Sequence, residues 1–195
     1  VSTTGSHFAY LKIAEGCSHR CAFCVIPTIR GKYRSRSLES ILAEAKALEA
    51  QGVKELAVVA QDTTAYGRDQ GTNIVELLKQ LAQRSIPRIR LLYTYPTAIS
   101  DELLDLIAQE PNLVKYIDLP LQHVSGNVLK LMKRPGDYDS TAKLIRKIRQ
   151  RIPGVFIRSS FIVGFPGETE EDFAELLRFI EELRLNHVGI FMYSL

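Results

Sequence analysis

Residues 15–24 read EGCSHRCAFC, and these ten positions hold all three cysteines of a 195-residue chain. Cys17, Cys21 and Cys24 stand at the spacing C-x3-C-x2-C. Three is an odd number, and bridges between such close neighbours would close loops too small to constrain an unfolded chain. A disulfide framework is therefore not expected. No charged-then-apolar segment with a small-residue cleavage site opens the chain, so a reducing interior is expected, where clustered cysteines more often bind metal. Structural zinc takes four ligands, commonly as two short pairs. Here the fourth would be His7, His19, His123 or His187, and none repeats a paired spacing. A ferredoxin-like carrier brings four cysteines per cluster. Three thiolates leave one iron of a cluster without a protein ligand, and an open coordination position suggests that a reactant binds there.

The rest of the composition is that of a soluble globular domain: 46% apolar and 24% charged residues, no tryptophan and a formal net charge of +3. That charge suits a mildly basic surface and does not by itself argue for nucleic acid. The longest aliphatic runs, such as LAVVA at 56–60, are strand-sized and far below the roughly 20 residues of a membrane span.

Outward from the cysteines, six β-rich runs alternate with helical patterns. The expected strands are 9–14, 54–60, 88–94, 115–119, 155–163 and 187–193. Leu38, Ile41, Leu42, Ala45 and Leu48 recur at helical spacing, with Ser37 placed to cap that helix and Gly52 to end it. Segments 73–84, 100–109, 139–151 and 169–183 read as helices too, two of them with acid-rich first turns after Ser100 and Thr169. This alternation predicts parallel βαβ units, arranged either as a partly closed barrel or as an open doubly wound sheet. Both place ligands where strand ends meet the following loops. The cysteine loop follows the first strand and belongs on that face. So do Gln61 to Thr63, Tyr93 to Pro96, Asp118 to His123 and Gly164 to Glu168. Arg30, Lys32, Arg34 and Arg36 alternate, so an extended segment would put all four charges on one side, as a solvated face with one arginine paired inside or as a contact for an acidic partner.

The motif C-x3-C-x2-C after the first strand of a βα-alternating domain resembles that of the radical S-adenosylmethionine (SAM) enzymes. AYLKIAEGC (9–17), CAFCVIPTIRGKYRSR (21–36), AQDTTAYG (60–67), LPLQHVSGNVLKLMKRPG (119–136) and FIVGFPGETEEDF (161–173) are together similar to the methylthiotransferases. Within these, Gln61-Asp62-Thr63-Thr64 and Pro120-Leu121-Gln122-His123 resemble the RimO type, which modifies an aspartate of ribosomal protein S-twelve. The sister family acting on tRNA adenosine, which usually carries Gly-Gln-Asn and Gln-Ser at these places, is the alternative, and a non-catalytic zinc or iron–sulfur module is the second.

The resemblance implies an α/β fold: a partial (β/α)6 TIM-like barrel of parallel strands, the radical SAM core, spanning residues 1–195. It implies that Cys17, Cys21 and Cys24 ligate a 4Fe-4S cluster whose open iron is chelated by SAM. One-electron reduction then splits SAM into methionine and a deoxyadenosyl radical, and a methylthio group replaces a hydrogen on the aspartate β-carbon. Phe23 stands where the family places an aromatic against the adenine, and Gln61, Asp62 and Thr63 where a loop receives the SAM amino group. Arg158, Ser160 and Gly164 lie in a stretch resembling the superfamily's G-x-I-x-G-x-x-E. Ser160 departs from the first glycine and Glu168 falls one place late. Arg158 is expected at the SAM carboxylate or in a barrel ion pair, Asp118 and Gln122 at the ribose or in strand-end packing, and His123 in a structural role. The resemblance further implies a second 4Fe-4S cluster in an amino-terminal domain, a carboxy-terminal β-domain, and a cytoplasmic enzyme off the membrane. Its partners would be a ribosomal small-subunit protein, a reductase or flavodoxin-like electron donor, and possible contact with ribosomal RNA.

Overall fold

The computed structural model describes residues 7–194. In chain order the elements are strands β1 (Phe8–Lys12) and β2 (Ala14–Glu15), helix α1 (Ile26–Arg30), β3 (Arg34–Ser35), α2 (Leu38–Ala50), β4 (Glu55–Val59), α3 (Ile74–Ala82), β5 (Arg88–Leu91), α4 (Asp101–Gln109), β6 (Tyr116–Asp118), α5 (Gly126–Leu131), α6 (Tyr138–Arg151), β7 (Phe156–Val163), α7 (Glu170–Leu183) and β8 (His187–Met192). All six predicted long strands form, within two or three residues at each end.

The strands make two parallel three-stranded sheets, ordered β1-β4-β5 and β6-β7-β8. These abut along β5 and β6. Ile89 N–H donates to Asn112 O (2.8 Å), Val114 N–H to Ile89 O (2.9 Å) and Thr94 N–H to Asp118 O (2.9 Å). The strand order is therefore the sequence order, as in a barrel opened between its first and last strand. No pairing joins β8 to β1 among the described residues. The expected partial barrel is what forms.

Each long strand turns alternate residues toward the helices. On β7, Ile157, Ser159 and Phe161 are buried, while Arg158, Ser160 and Ile162 on the opposite side are half-buried. The helix layer follows the strands, with α2 against α3, α3 against α4, α4 against α6 and α6 against α7. Helix α2 buries Ile41 and Ala45 on the face its periodicity predicts, capped by Ser37, whose side chain accepts from Ser40 N–H. A second, smaller apolar cluster joins Val128 and Met132 to Phe165, with Phe23 packed against it. That cluster explains α5, which no periodicity announced: six residues are too few to show a pattern, and packing against Phe165 selects the helix.

Asp172 ties α7 to the start of α5. It is buried and accepts from Ser125 Oγ (2.5 Å), Asn127 Nδ2 (3.0 Å), Thr169 N–H (3.0 Å) and Thr169 Oγ1 (3.1 Å). Burial pushes its carboxyl up, but these donors outweigh burial and hold it at about 2. Because the folded value lies below the unfolded one of about 3.9, its stabilisation is present above pH ~4 and lost as pH falls from ~4 toward ~2, on the order of 2 kcal/mol. Asp172→Ala is expected to lower stability by about 2 kcal/mol at pH 7 and to flatten the acid limb of the pH–stability curve, measured by urea unfolding at pH 7 and pH 3. An unchanged acid limb would refute this role.

Candidate functional site

The cysteine loop is closed at its base by the β2–β3 pair, which sets Ala14 against Ser35 and Glu15 against Arg34 in antiparallel register. Above that base Cys17 N–H donates to Gly31 O (3.1 Å) and Tyr33 N–H to Ser18 Oγ (3.3 Å). Cys24 N–H donates to Cys21 O (3.1 Å), and Ala22 N–H to Met132 O (3.0 Å) past the end of α5. The loop is thus fixed to the strand ends from two sides.

All three thiols are half-buried and line one cleft of ≈ 600 Å³. Ala60, Gln61 and Asp62 past β4, Tyr93 to Tyr95 past β5, Pro120 and Gln122 past β6, Ser160 and Ile162 of β7 and Phe191 of β8 complete its wall. The cleft therefore opens where the strands' carboxyl ends meet their loops. Among the described residues no three His, Cys, Asp or Glu side chains converge as donors to a single metal ion. A 4Fe-4S cluster takes its thiolates one to each of separate irons, so it does not require its ligands to meet at one point. Two sulfurs already have donors: His19 N–H points at Cys17 Sγ (3.4 Å) and Arg134 Nη1 at Cys21 Sγ (3.6 Å). Burial pushes the Cys17 thiol up; the His19 N–H partly offsets this, and nearby Asp62, Cys21 and Cys24 add to it. Three sulfurs lining one cleft, two of them with donors in place, are a donor set that fits a cluster.

A network of polar and aromatic side chains braces the loop. His19 Nε2 bonds Asp62 Oδ2 (2.7 Å), and its ring stacks on Tyr95 with centroids 3.8 Å apart. The Arg134 guanidinium lies 4.6 Å from the same tyrosine ring and donates to Pro120 O (2.9 Å).

The predicted contact residues divide into two groups. Phe23, Gln61, Asp62, Gln122 and Ser160 line the cleft. Phe23 also packs edge-to-face on Phe165 (centroids 6.4 Å apart), so cleft wall and core contact are both its role. Gln122 is turned inward by a left-handed backbone (φ 75°), and its N–H donates to Ser160 O (2.8 Å). Asp62 faces the cleft with its carboxylate already engaged: Oδ1 accepts from Thr64 N–H (2.9 Å) and Thr64 Oγ1 (2.5 Å), Oδ2 bonds His19.

Thr63, Asp118, Arg158 and Gly164 lie outside the cleft wall. Thr63 is buried and donates from Oγ1 to Leu92 O (2.7 Å). Asp118 accepts from Tyr93 N–H (3.1 Å) and stands 3.7 Å from Arg158 Nη1, which is the barrel ion pair rather than a free cation. Gly164 forms the turn after β7 with φ +72°. His123 is fully buried, with Nδ1 accepting from Ser125 N–H (3.1 Å) and Nε2 3.4 Å from Glu168 Oε1. Burial pulls its pKa below the ordinary value, in keeping with the structural role expected. The alternating cations do not share one side. Arg30 ends α1 and faces Glu15 at 3.8 Å, while Arg36 is held by Glu44 (2.6 Å), Lys12 O (2.6 Å) and Ser40 Oγ (2.9 Å). Helix α1 takes in Arg30 and Gly31 turns with φ 76°, so the extended run starts only after them; Lys32 and Arg34 stay exposed, and Arg36 is the arginine paired inside.

The sequence marks His19 only as a possible fourth zinc ligand and does not mark Tyr95 or Arg134 as site residues. Tyr95 is one of the strand-end residues and Arg134 lies within the 119–136 similarity, but Tyr95 meets His19 from another strand end and Arg134 meets Cys21 across 113 positions, so neither contact has a local signal.

Residues 11–180 match the radical SAM superfamily. The chain is 52% identical over 194 residues to ribosomal protein uS12 methylthiotransferase RimO of Elusimicrobium minutum, covering 98% of this chain and 45% of that protein. It is 54% identical over 193 residues to the protein of the same name from Moorella thermoacetica, covering 97% and 45%. It thus spans less than half the length of these curated relatives. Among solved structures, the radical SAM methyltransferase TsrM of Kitasatospora setae, with cobalamin and a 4Fe-4S cluster bound, matches 95% of this chain and 36% of its own with a TM-score of 0.77 at 21% identity. Coproporphyrinogen III oxidase HemN of Escherichia coli matches 96% and 44% with a TM-score of 0.67, also at 21% identity. At that identity the two structures speak for the fold.

Proposed function

This chain belongs to the radical SAM superfamily, and from that premise we propose that it is the catalytic core of a methylthiotransferase acting on an aspartate of ribosomal protein uS12. The observation that carries the reading is the placement of all three cysteines on one wall of the cleft at the strand ends, in a chain about half identical to proteins of that name. Cys17, Cys21 and Cys24 would hold a 4Fe-4S cluster with one open iron, which supplies the one-electron split of SAM. The chain's own residues bind, orient and shield. Phe23, Ile26, Ile162 and Phe191 give the cleft an apolar lining against water, and Gln61, Gln122 and Ser160 offer hydrogen bonds for a polar ligand. Thr63, Asp118 and Arg158 act one layer out, holding the strand ends in register rather than touching SAM.

The whole enzyme, of which residues 1–195 are the core, would carry its second cluster in a separate amino-terminal domain and take electrons from a flavodoxin-like or reductase donor. Exposed Lys32 and Arg34 beside the cysteine loop are suited to phosphates of ribosomal RNA near the target. The setting is cytoplasmic, where ribosomal proteins are found; no described helix is long and apolar enough to cross a membrane.

The deciding experiment offers the anaerobically reconstituted full enzyme uS12 and tRNA in parallel, with mass spectrometry of both products. A methylthio group on a uS12 aspartate and none on tRNA is the expected result. Modified adenosine with unmodified uS12 would sink the proposal.

A further inference from the structure

We propose that Arg134 is a positioning residue for the cluster: its guanidinium, fixed by Pro120 and Tyr95, holds the Cys21 sulfur and raises the cluster's reduction potential. The inference rests on the reading that Cys21 is a cluster ligand. After α5 the backbone turns through a left-handed Lys133 (φ 54°), and Arg134 N–H donates back to Leu129 O (2.8 Å). That turn carries the half-buried Arg134 side chain into the cleft. There Nη2 donates to Pro120 O (2.9 Å) and the guanidinium carbon lies 4.6 Å from the Tyr95 ring centroid. Two anchors orient a rigid fork, so its other terminal nitrogen, Nη1, is presented to Cys21 Sγ at 3.6 Å. One residue along, Ala22 N–H reaches Met132 O (3.0 Å), so the α5 terminus grips the loop at both positions.

A charge-assisted donor on a cysteinyl sulfur favours the more negative state of a cluster, as hydrogen bonds to cluster sulfurs do in general. The reduced cluster carries one more electron than the oxidised one and no change in protons. Removing the donor therefore makes the cluster harder to reduce. A lysine, a point charge on a flexible stem, cannot hold the carbonyl, the ring and the sulfur together.

The test is a redox titration of the anaerobically reconstituted protein with dithionite, read by visible absorbance and electron paramagnetic resonance, for the parent, Arg134→Gln and Arg134→Lys. Iron content, SAM affinity and far-UV circular dichroism are measured on the same samples. At the parent's midpoint, Arg134→Gln is expected to show a reduced-to-oxidised ratio about tenfold lower, which is about 59 mV for a one-electron couple. Arg134→Lys is expected to fall between the two. Folded variants with normal iron and an unchanged midpoint would overturn the inference, as would lost SAM affinity without a shift in potential. Should Arg134→Gln fail to fold, the Arg134→Lys midpoint decides alone. A parent protein that binds no iron would overturn the cluster reading first and this inference with it.

Discussion

Replacing Cys21 by alanine is expected to leave residues 1–195 without visible iron–sulfur absorbance and with SAM cleavage reduced below detection. Residues 1–195 hold three cysteines and no others, so no spare thiol within the core can take the vacated iron. The loop's other side chain of a metal-ligating type is His19, whose ring is already committed to Asp62 and Tyr95. A two-thiolate loop leaves a second iron open to water and chelators, and cluster loss follows. Losing an outer partner of a ligand typically costs about 10- to 100-fold in metal affinity; losing the ligand itself costs more. Iron and sulfide per chain, the visible spectrum and deoxyadenosine formed under dithionite measure the effect. A brown, SAM-cleaving Cys21→Ala protein would refute the assignment.

Gly16→Ala is expected to lower iron content more than tenfold and destabilise the fold by about 3 kcal/mol or more. Gly16 precedes the first cysteine with φ +79°, a conformation that alone costs a non-glycine residue about 1–2 kcal/mol. A Cβ there would lie 2.4 Å from Lys32 O and 2.6 Å from Gly31 O, both backbone atoms. The chain can make room only by parting the two ends of the cysteine loop, which breaks the Cys17–Gly31 hydrogen bond and moves Cys17. Gly154→Ala is the control. Its φ is +77°, yet nothing lies within 4 Å of its added Cβ, so it suffers the backbone strain without the collision. Equal stability losses and full iron in both variants would show that the close approach at Gly16 is unimportant.

The predicted βα alternation and the cap residues Ser37, Ser100 and Thr169 all appear in the fold, the last in a reciprocal capping box with Asp172. Their signals are local: an apolar period, or an oxygen placed three residues before a free backbone N–H. The short elements α1, α5 and the β2–β3 pair were not legible, because two to six residues carry no period and distant contacts select their conformation. The polar residues at the strand ends show the same boundary. Gln61, Asp62 and Thr63 are consecutive and looked equivalent, yet Gln61 opens onto the cleft, Asp62 is held by Thr64 and His19, and Thr63 turns away to the Leu92 carbonyl.

Thiol spacing and strand–helix rhythm, both written in neighbouring residues, carried the resemblance to the superfamily and seated the cysteines at the strand ends. Which polar groups face the cleft, and that Arg134 reaches a sulfur 113 positions earlier in the chain, depended on the packed structure. Hydrogen-bond partners are chosen by proximity in space, and proximity across several strands exists only once the parallel arc has assembled.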